Sequence, residues 1–224
     1  MSNQEVFVTL YNKYIKREGA AELLAWLENE TGFFTAPAGA KHHGAHTGGL
    51  VEHSLNVHHR LAKIASVEIF GVSGRIDLLA EDVKESIAIM GLLHDVCKHD
   101  VYHADGRGGF RYSDPFPFGH GEKSAYLISQ HMKLTPAEAL AIRWHMGAFD
   151  AAARGDLRQL DAAMDVTPWV WWLHEADMGA ARIDEREVEN DEPLQSVELG
   201  SGTGDKRHLE CGSSVVFREE LAEE

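Results

Sequence analysis

Histidine occurs fourteen times in the chain, and four segments set a histidine or aspartate among apolar residues at helical spacing. In GGLVEHSL, His53 shares a stripe with Leu50 and Val57. In IAIMGLLHDVCK, His94 falls in line with Ile87 and Met90, and Asp95 follows it directly. In AIRWHMG, His145 lines up with Ala141 and Ile142; in WWLHEADMGAAR, Asp177 lines up with Leu173 and Ala180. An unpaired aspartate is costly to bury on an apolar face. Neutral imidazoles and carboxylates converging in a core are the donor set of a transition-metal site. Mixed N and O donors suit manganese, iron, cobalt, nickel or zinc, whereas magnesium prefers oxygen alone. Taken singly, each residue reads better as a satisfied core histidine or a capping aspartate. Taken together they would be four separate coincidences, and a buried metal site explains all of them.

Such a site needs helices to hold it, and apolar periodicity is helical nearly throughout. The spacing predicts helices over about Gln4–Lys16, Ala20–Glu30, Leu50–Val67, Glu81–Cys97, Glu122–Met132, Pro136–Met146 and Pro168–Arg182, with a weaker one near Asp156–Met164. Thr135-Pro136 and Thr167-Pro168 each read as a capping threonine followed by proline in the first turn. Gly32 to Gly49 reads as a loop, Gly71 to Gly74 as a turn, and His99 to Gly119 as a long structureless connection. Connections of that length are usually lids or binding loops. The fold class is all-α, one helical domain over 1–184 with its motif core at about 34–182. Residues 185–224 read as an acidic appendage, with a short strand or hairpin near Ser214–Phe217.

The net charge of −15 repels long polyphosphate chains at a distance, so binding along a nucleic acid is not expected. A small phosphorylated substrate is still compatible, because bound cations reverse the local sign. No uncharged apolar run approaches the roughly 20 residues of a membrane span, and the N-terminus lacks a signal-peptide pattern. The two cysteines are too few for a disulfide framework, and Cys97 reads as a reduced, packed thiol. The cytoplasm is the expected compartment. Trp169, Trp171 and Trp172 read as core and interface residues rather than a base-stacking platform, which leaves a homo-oligomer open.

The order of these elements, with GGLVEHSL and GLLHDVCK as flanks, resembles the HD-domain metal-dependent phosphohydrolase superfamily over about Phe34 to Arg182. The stretch FFTAPAGAKHHGAHTGGLVEHSLNV is similar to small single-domain bacterial and phage members, and to the HD part of 3′→5′ exoribonucleases. The resemblance implies a helical bundle around a metal site. It implies His53, His94, Asp95, His120 in FGHGEKSAYLI, His145 and Asp177 as ligands. Members with two intermediate histidines usually hold two metals, the aspartate of the doublet bridging them. Two divalent transition metals are therefore expected, manganese, iron, cobalt or nickel first and zinc or magnesium as further options.

The implied activity is hydrolysis of a phosphomonoester or phosphodiester, in a nucleotide or other small phosphate ester, by metal-activated water. Asp95 would orient that water. Lys98, one turn after His94, would bind a phosphate oxygen, or else be a solvated lysine favoured by the helix dipole. His43 matches a histidine of the small hydrolases and would contact phosphate or protonate the leaving group, its alternative being a surface loop residue. Gly49, with Gly48, would let the backbone approach the substrate or simply turn into the helix. Arg107 and Arg111 are candidate phosphate contacts in the long loop. His174 is a candidate partner for the ligand shell, whereas His58 and His59 point away from the face of His53. Two other classes stand as alternatives: a di-iron oxygenase on the same fold with the same ligand order, and a non-catalytic nucleotide-binding protein, against which the complete ligand set argues.

Overall fold

The computed structural model describes residues 1–185, apart from His42, His43 and Ser73. Eight α-helices carry the described fold: α1 (Asn3–Tyr14), α2 (Ala20–Asn29), α3 (Gly49–Phe70), α4 (Glu81–Leu93), α5 (His120–Ser129), α6 (Pro136–Trp144), α7 (Arg158–Val166) and α8 (Trp169–Gly179). The expected acidic appendage lies outside the described residues, except for Glu185.

The long helix α3 is the spine, packed against α4 and α8 and flanked by α1, while α6 joins α8 to α5. Its stripe of Leu50, Val57 and Leu61 is buried, as His53 is, and it meets Ile87, Met90 and Leu93 of α4 and Leu173 and Ala176 of α8. Two glycines set how closely helices approach. A Cβ on Gly91 would stand 2.5 Å from the His58 Cα, and one on Gly121 would stand 2.1 Å from the Arg143 carbonyl oxygen. These contacts draw α4 onto α3 beside His94, and α5 onto α6 beside His120.

A helix cap and a buried ion cluster further join α1, α4 and α6. Thr135 caps α6 as expected, with Pro136 in the first turn, and Glu138 makes the cap reciprocal. The same Glu138 carboxylate, 1 % exposed, accepts two bonds from Arg17 at 2.7 and 2.9 Å and one from Ser86 Oγ at 2.7 Å. Arg17 in turn pairs with Glu85 at 3.1 Å, so one cluster ties the end of α1 to α4 and α6.

The structure departs from the sequence expectations in several places; at α8, for one, Pro168 rather than Thr167 takes the cap position, without a side-chain cap bond. The long connection is not structureless: β1 (Tyr102–Ala104) and β2 (Phe110–Tyr112) pair antiparallel, with Tyr102 opposite Tyr112. Asp105 closes the hairpin by accepting from the backbone of Arg107 and Gly109 at 2.7 and 2.9 Å, a turn chemistry that apolar periodicity does not register. The fourth helix ends at Leu93 rather than Cys97, and Val96–Asp100 form a tighter 3-10 turn. Of the three tryptophans read as core and interface residues, Trp169 and Trp172 pack on the core edge to face and Trp171 is 53 % exposed. Among the described residues, no helix is long and apolar enough to cross a membrane.

Candidate metal centre

Five elements contribute the site. His53 comes from the first turns of α3, His94 and Asp95 from the end of α4, His120 from the start of α5, His145 from the end of α6 and Asp177 from α8. His94 and His145 each follow the last residue of a helix, where backbone carbonyls lack intrahelical partners. Each ring meets such a carbonyl three residues back: His94 Nδ1 lies 3.1 Å from Gly91 O, and His145 Nδ1 lies 2.7 Å from Ile142 O. A carbonyl only accepts, so both rings carry their proton on Nδ1 when neutral and turn a bare Nε2 inward.

The inward atoms crowd together. His53 Nε2 is 3.3 Å from His94 Nε2 and 3.1 Å from Asp177 Oδ1. Asp95 reaches both ends of the cluster, its Oδ2 being 3.5 Å from the Nε2 of both His53 and His94. Its Oδ1 is 2.7 Å from His120 Nε2 and 3.4 Å from His145 Nε2. Even so, Asp95 Oδ1 and His145 Nε2 are buried without a well-formed hydrogen bond among the described residues. Bare imidazole nitrogens and carboxylate oxygens repel one another unless a cation lies among them, so this donor set fits a divalent metal. His53, His94 and Asp177 form one group able to hold an ion; His94, Asp95 and His145 form a second; Asp95, His120 and Cys97 form a third.

The electrostatics of the unmetallated chain follow the same geometry. Burial pulls His53 down, but its bonds to Asp177 and Glu185 outweigh this and hold it at about 9. Burial likewise opposes His145, and the Asp95 carboxylate carries it upward. His94 and His120 lie on the other side, kept low by burial despite Asp95. For Asp95, burial favours the neutral acid, but Lys98, His94 and His120 hold the carboxyl well below the usual range. Asp177 is lowered in the same sense: burial opposes ionisation and His53 overrides it.

Lys98 is buried, with Nζ 2.6 Å from Asp95 Oδ2. The 3-10 turn places it there, so the solvated-lysine reading does not describe this side chain. Burial alone would lower its pKa, yet the Asp95 charge raises it overall, and Lys98 is a cation in the site. A cavity of about 160 Å³ opens beside it, lined among others by Lys98, Tyr102, Tyr112, His120 and Lys123. The hairpin therefore forms one wall. Lys123, 2 % exposed, latches the chain on either side of that hairpin through Asp100 and Asp114, both at 2.8 Å. His120, with 30 % of its side chain exposed, is the most open of the six clustered residues.

The other sequence candidates among the described residues lie outside the cluster. Gly49 is buried against the Gly44 backbone, which a Cβ would meet at 2.1 Å, so here it serves the turn into α3. Arg107 and Arg111 are exposed on the hairpin and do not border the cavity. His43 lies outside the described residues. His174 donates from Nδ1 to the His145 backbone oxygen at 2.6 Å, which steadies the chain at that histidine. Sequence reading missed two side chains. Cys97 Sγ lies 3.3 Å from His120 Nδ1, a contact hidden in an apolar run; its thiol is pushed up to about 12 by burial. Glu185 reaches His53 Nδ1 at 2.9 Å from a stretch that composition marks only as acidic.

With this arrangement in place, the comparison with known families is direct. The model of the HD domain family matches residues 50–199, most of the chain. The chain belongs to the HD-domain metal-dependent phosphohydrolase superfamily. No curated protein and no solved structure matches it.

Proposed function

We propose that the chain hydrolyses a phosphoester bond of a small phosphorylated substrate, with nucleotides as the leading class. The observation that carries this reading is that Lys98, paired with Asp95 of the His/Asp cluster, and His120 of the same cluster both line one cavity. His53, His94, Asp95, His120, His145 and Asp177 would hold the ions, and contacts of Asp95 to both ends of the cluster suit it to bridging two. Divalent metals bound there would activate water and neutralise phosphoryl oxygens.

The protein's own groups do the rest. Lys98, cationic and at the cavity wall, would bind a phosphoryl oxygen and offset the charge that develops as the ester bond breaks. Asp95, held ionised, would orient the attacking water. The wall formed by the hairpin and Lys123 would limit solvent at the reacting centre. A space of about 160 Å³ is small beside ligand pockets of roughly 300–1,000 Å³. It suits a phosphoryl group and its nearest atoms, with the remainder of the substrate outside. That favours a terminal phosphate or short ester over a threaded strand, in keeping with the net charge of −15.

The test is a metal-supplemented screen of nucleoside mono- and triphosphates, cyclic dinucleotides and short oligonucleotides. Turnover with manganese, iron, cobalt or nickel that Asp95→Ala abolishes, together with loss of bound metal and retention of the helical spectrum, supports the proposal. Unchanged turnover in Asp95→Ala overturns it. A mixed-valence di-iron signal without phosphoesterase activity would move the chain to the oxygenase class instead.

A further inference from the structure

Past α8 the helix widens. Ala180–Asp184 form a π-helical turn, and the Glu185 N–H donates to Ala180 O at 3.1 Å. Such a turn takes an extra residue into the helix and so changes which following side chains face a neighbouring element. Here the neighbour is α3, and two consecutive acidic residues land on it. Asp184 receives both a Nε–H and a terminal N–H of Arg60, each at 2.6 Å. Glu185, with 4 % of its side chain exposed, receives the Nδ1–H of His53 at 2.9 and 3.1 Å and the Asn56 amide at 3.0 Å.

His53 is thereby distinguished from His94 and His145, whose rings rest on backbone carbonyls that any sequence would supply. Its ring rests on a carboxylate supplied by a residue 132 positions away. A carboxylate on Nδ1 fixes the tautomer that turns Nε2 inward, holds the ring plane and makes Nε2 a stronger electron donor.

We infer that Glu185 is a positioning residue of the metal centre: it orients His53 through Nδ1, and the Arg60–Asp184 pair docks the turn that delivers it. This rests on the reading of the cluster as a metal site. It places the turn just beyond α8 within the machinery that retains metal, and makes metal affinity depend on a single side chain remote in sequence from every ligand except Asp177.

The test uses the full chain with Co²⁺ as the probe, whose visible absorption reports the ligand field. Co²⁺ affinity is measured for wild type, Glu185→Ala and Glu185→Gln, with the unfolding temperature of each taken in chelator. Removal of such a partner is expected to weaken the metal by about 10–100-fold. Glu185→Ala should show that loss with an altered absorption band. Glu185→Gln, which can still accept from Nδ1 without the charge, should fall between it and wild type. Glu185→Ala with wild-type affinity and band overturns the inference, whatever its unfolding temperature. If Glu185→Ala does not fold, Glu185→Gln decides: weakened Co²⁺ affinity supports the inference, and wild-type affinity refutes it. A wild-type chain that takes up neither Co²⁺ nor another divalent ion would instead sink the metal-site reading itself.

Discussion

The Lys98 ammonium lies 2.6 Å from Asp95 Oδ2, both groups buried beneath the hairpin-walled cavity. Lys98 thus serves Asp95 in the metal-free chain and lines the cavity at the same time. Lys98→Met should leave a buried carboxylate without its cation and destabilise the metal-free protein by about 3 kcal/mol or more. Added Mn²⁺ should restore much of that stability, because the metal replaces the lost charge. Turnover should nevertheless fall about 100-fold, the scale for losing one charge-stabilising donor. Denaturant melts with and without Mn²⁺, paired with steady-state rates, check both parts. A variant that keeps wild-type turnover contradicts the role given to Lys98.

Gly91 offers a test of helix approach. Its missing Cβ would stand 2.5 Å from the His58 Cα, a backbone atom that cannot swing aside. Gly91→Ala should therefore push α4 from α3 and cost about 1–3 kcal/mol, although alanine is the better helix former. Because His94 lies three residues further on, bound metal per chain should drop as well. Elemental analysis after desalting, alongside urea denaturation, reads both effects.

The cluster of Arg17, Glu85 and Glu138 predicts a purely structural phenotype. Arg17→Met leaves the Glu138 carboxylate buried with only Ser86 and its own helix cap to satisfy it. Stability should fall by about 2–4 kcal/mol, toward the lower end of the range for breaking buried pairs, because Arg17 is partly exposed. Metal affinity of the folded fraction should not change, since none of the three residues contacts the cluster. A large shift in metal Kd would show that α1 and α6 control the site more directly than the contacts indicate.

His58 supplies a pH dependence free of the metal ligands. Burial lowers it to about 4, the nearby His59 adding to the effect, against 6.5 for an open imidazole. Between those values the unfolded chain takes up a proton that the folded chain refuses, so this residue makes stability fall as pH drops from about 6.5 to 4. Its contribution levels off below that range. At about 1.4 kcal/mol per unit the loss amounts to at most about 3.5 kcal/mol. Urea melts of wild type and His58→Gln in chelator, at pH 7.5 and 4.5, should show a smaller acid loss in the variant. Equal losses in the two proteins would mean that His58 is solvated in the folded state.

The helices and the ligand order were legible in the chain because both are local patterns. Apolar spacing marked α3, α4, α6 and α8, and Thr135-Pro136 marked where α6 begins. His53, His94, His145 and Asp177 stood out because a polar residue on a buried stripe is conspicuous against its neighbours; His120, at the mouth of the site, was reached through the family pattern alone. The hairpin was not legible: its strands are three residues long, and the Asp105 turn that closes it carries no periodic signal.

By itself, then, the sequence determined which donor side chains the candidate cluster has and which helices bear them. Tertiary structure alone decided how those donors are aimed. The end of α4 at Leu93 and of α6 at Trp144 leaves carbonyls that turn His94 and His145 inward. The 3-10 turn swings Lys98 onto Asp95, and the π turn beyond α8 brings Glu185 to His53. Ring orientation depends on hydrogen-bond partners that meet only when the helices pack, some of them more than a hundred residues apart. No local pattern of residue types encodes such a meeting.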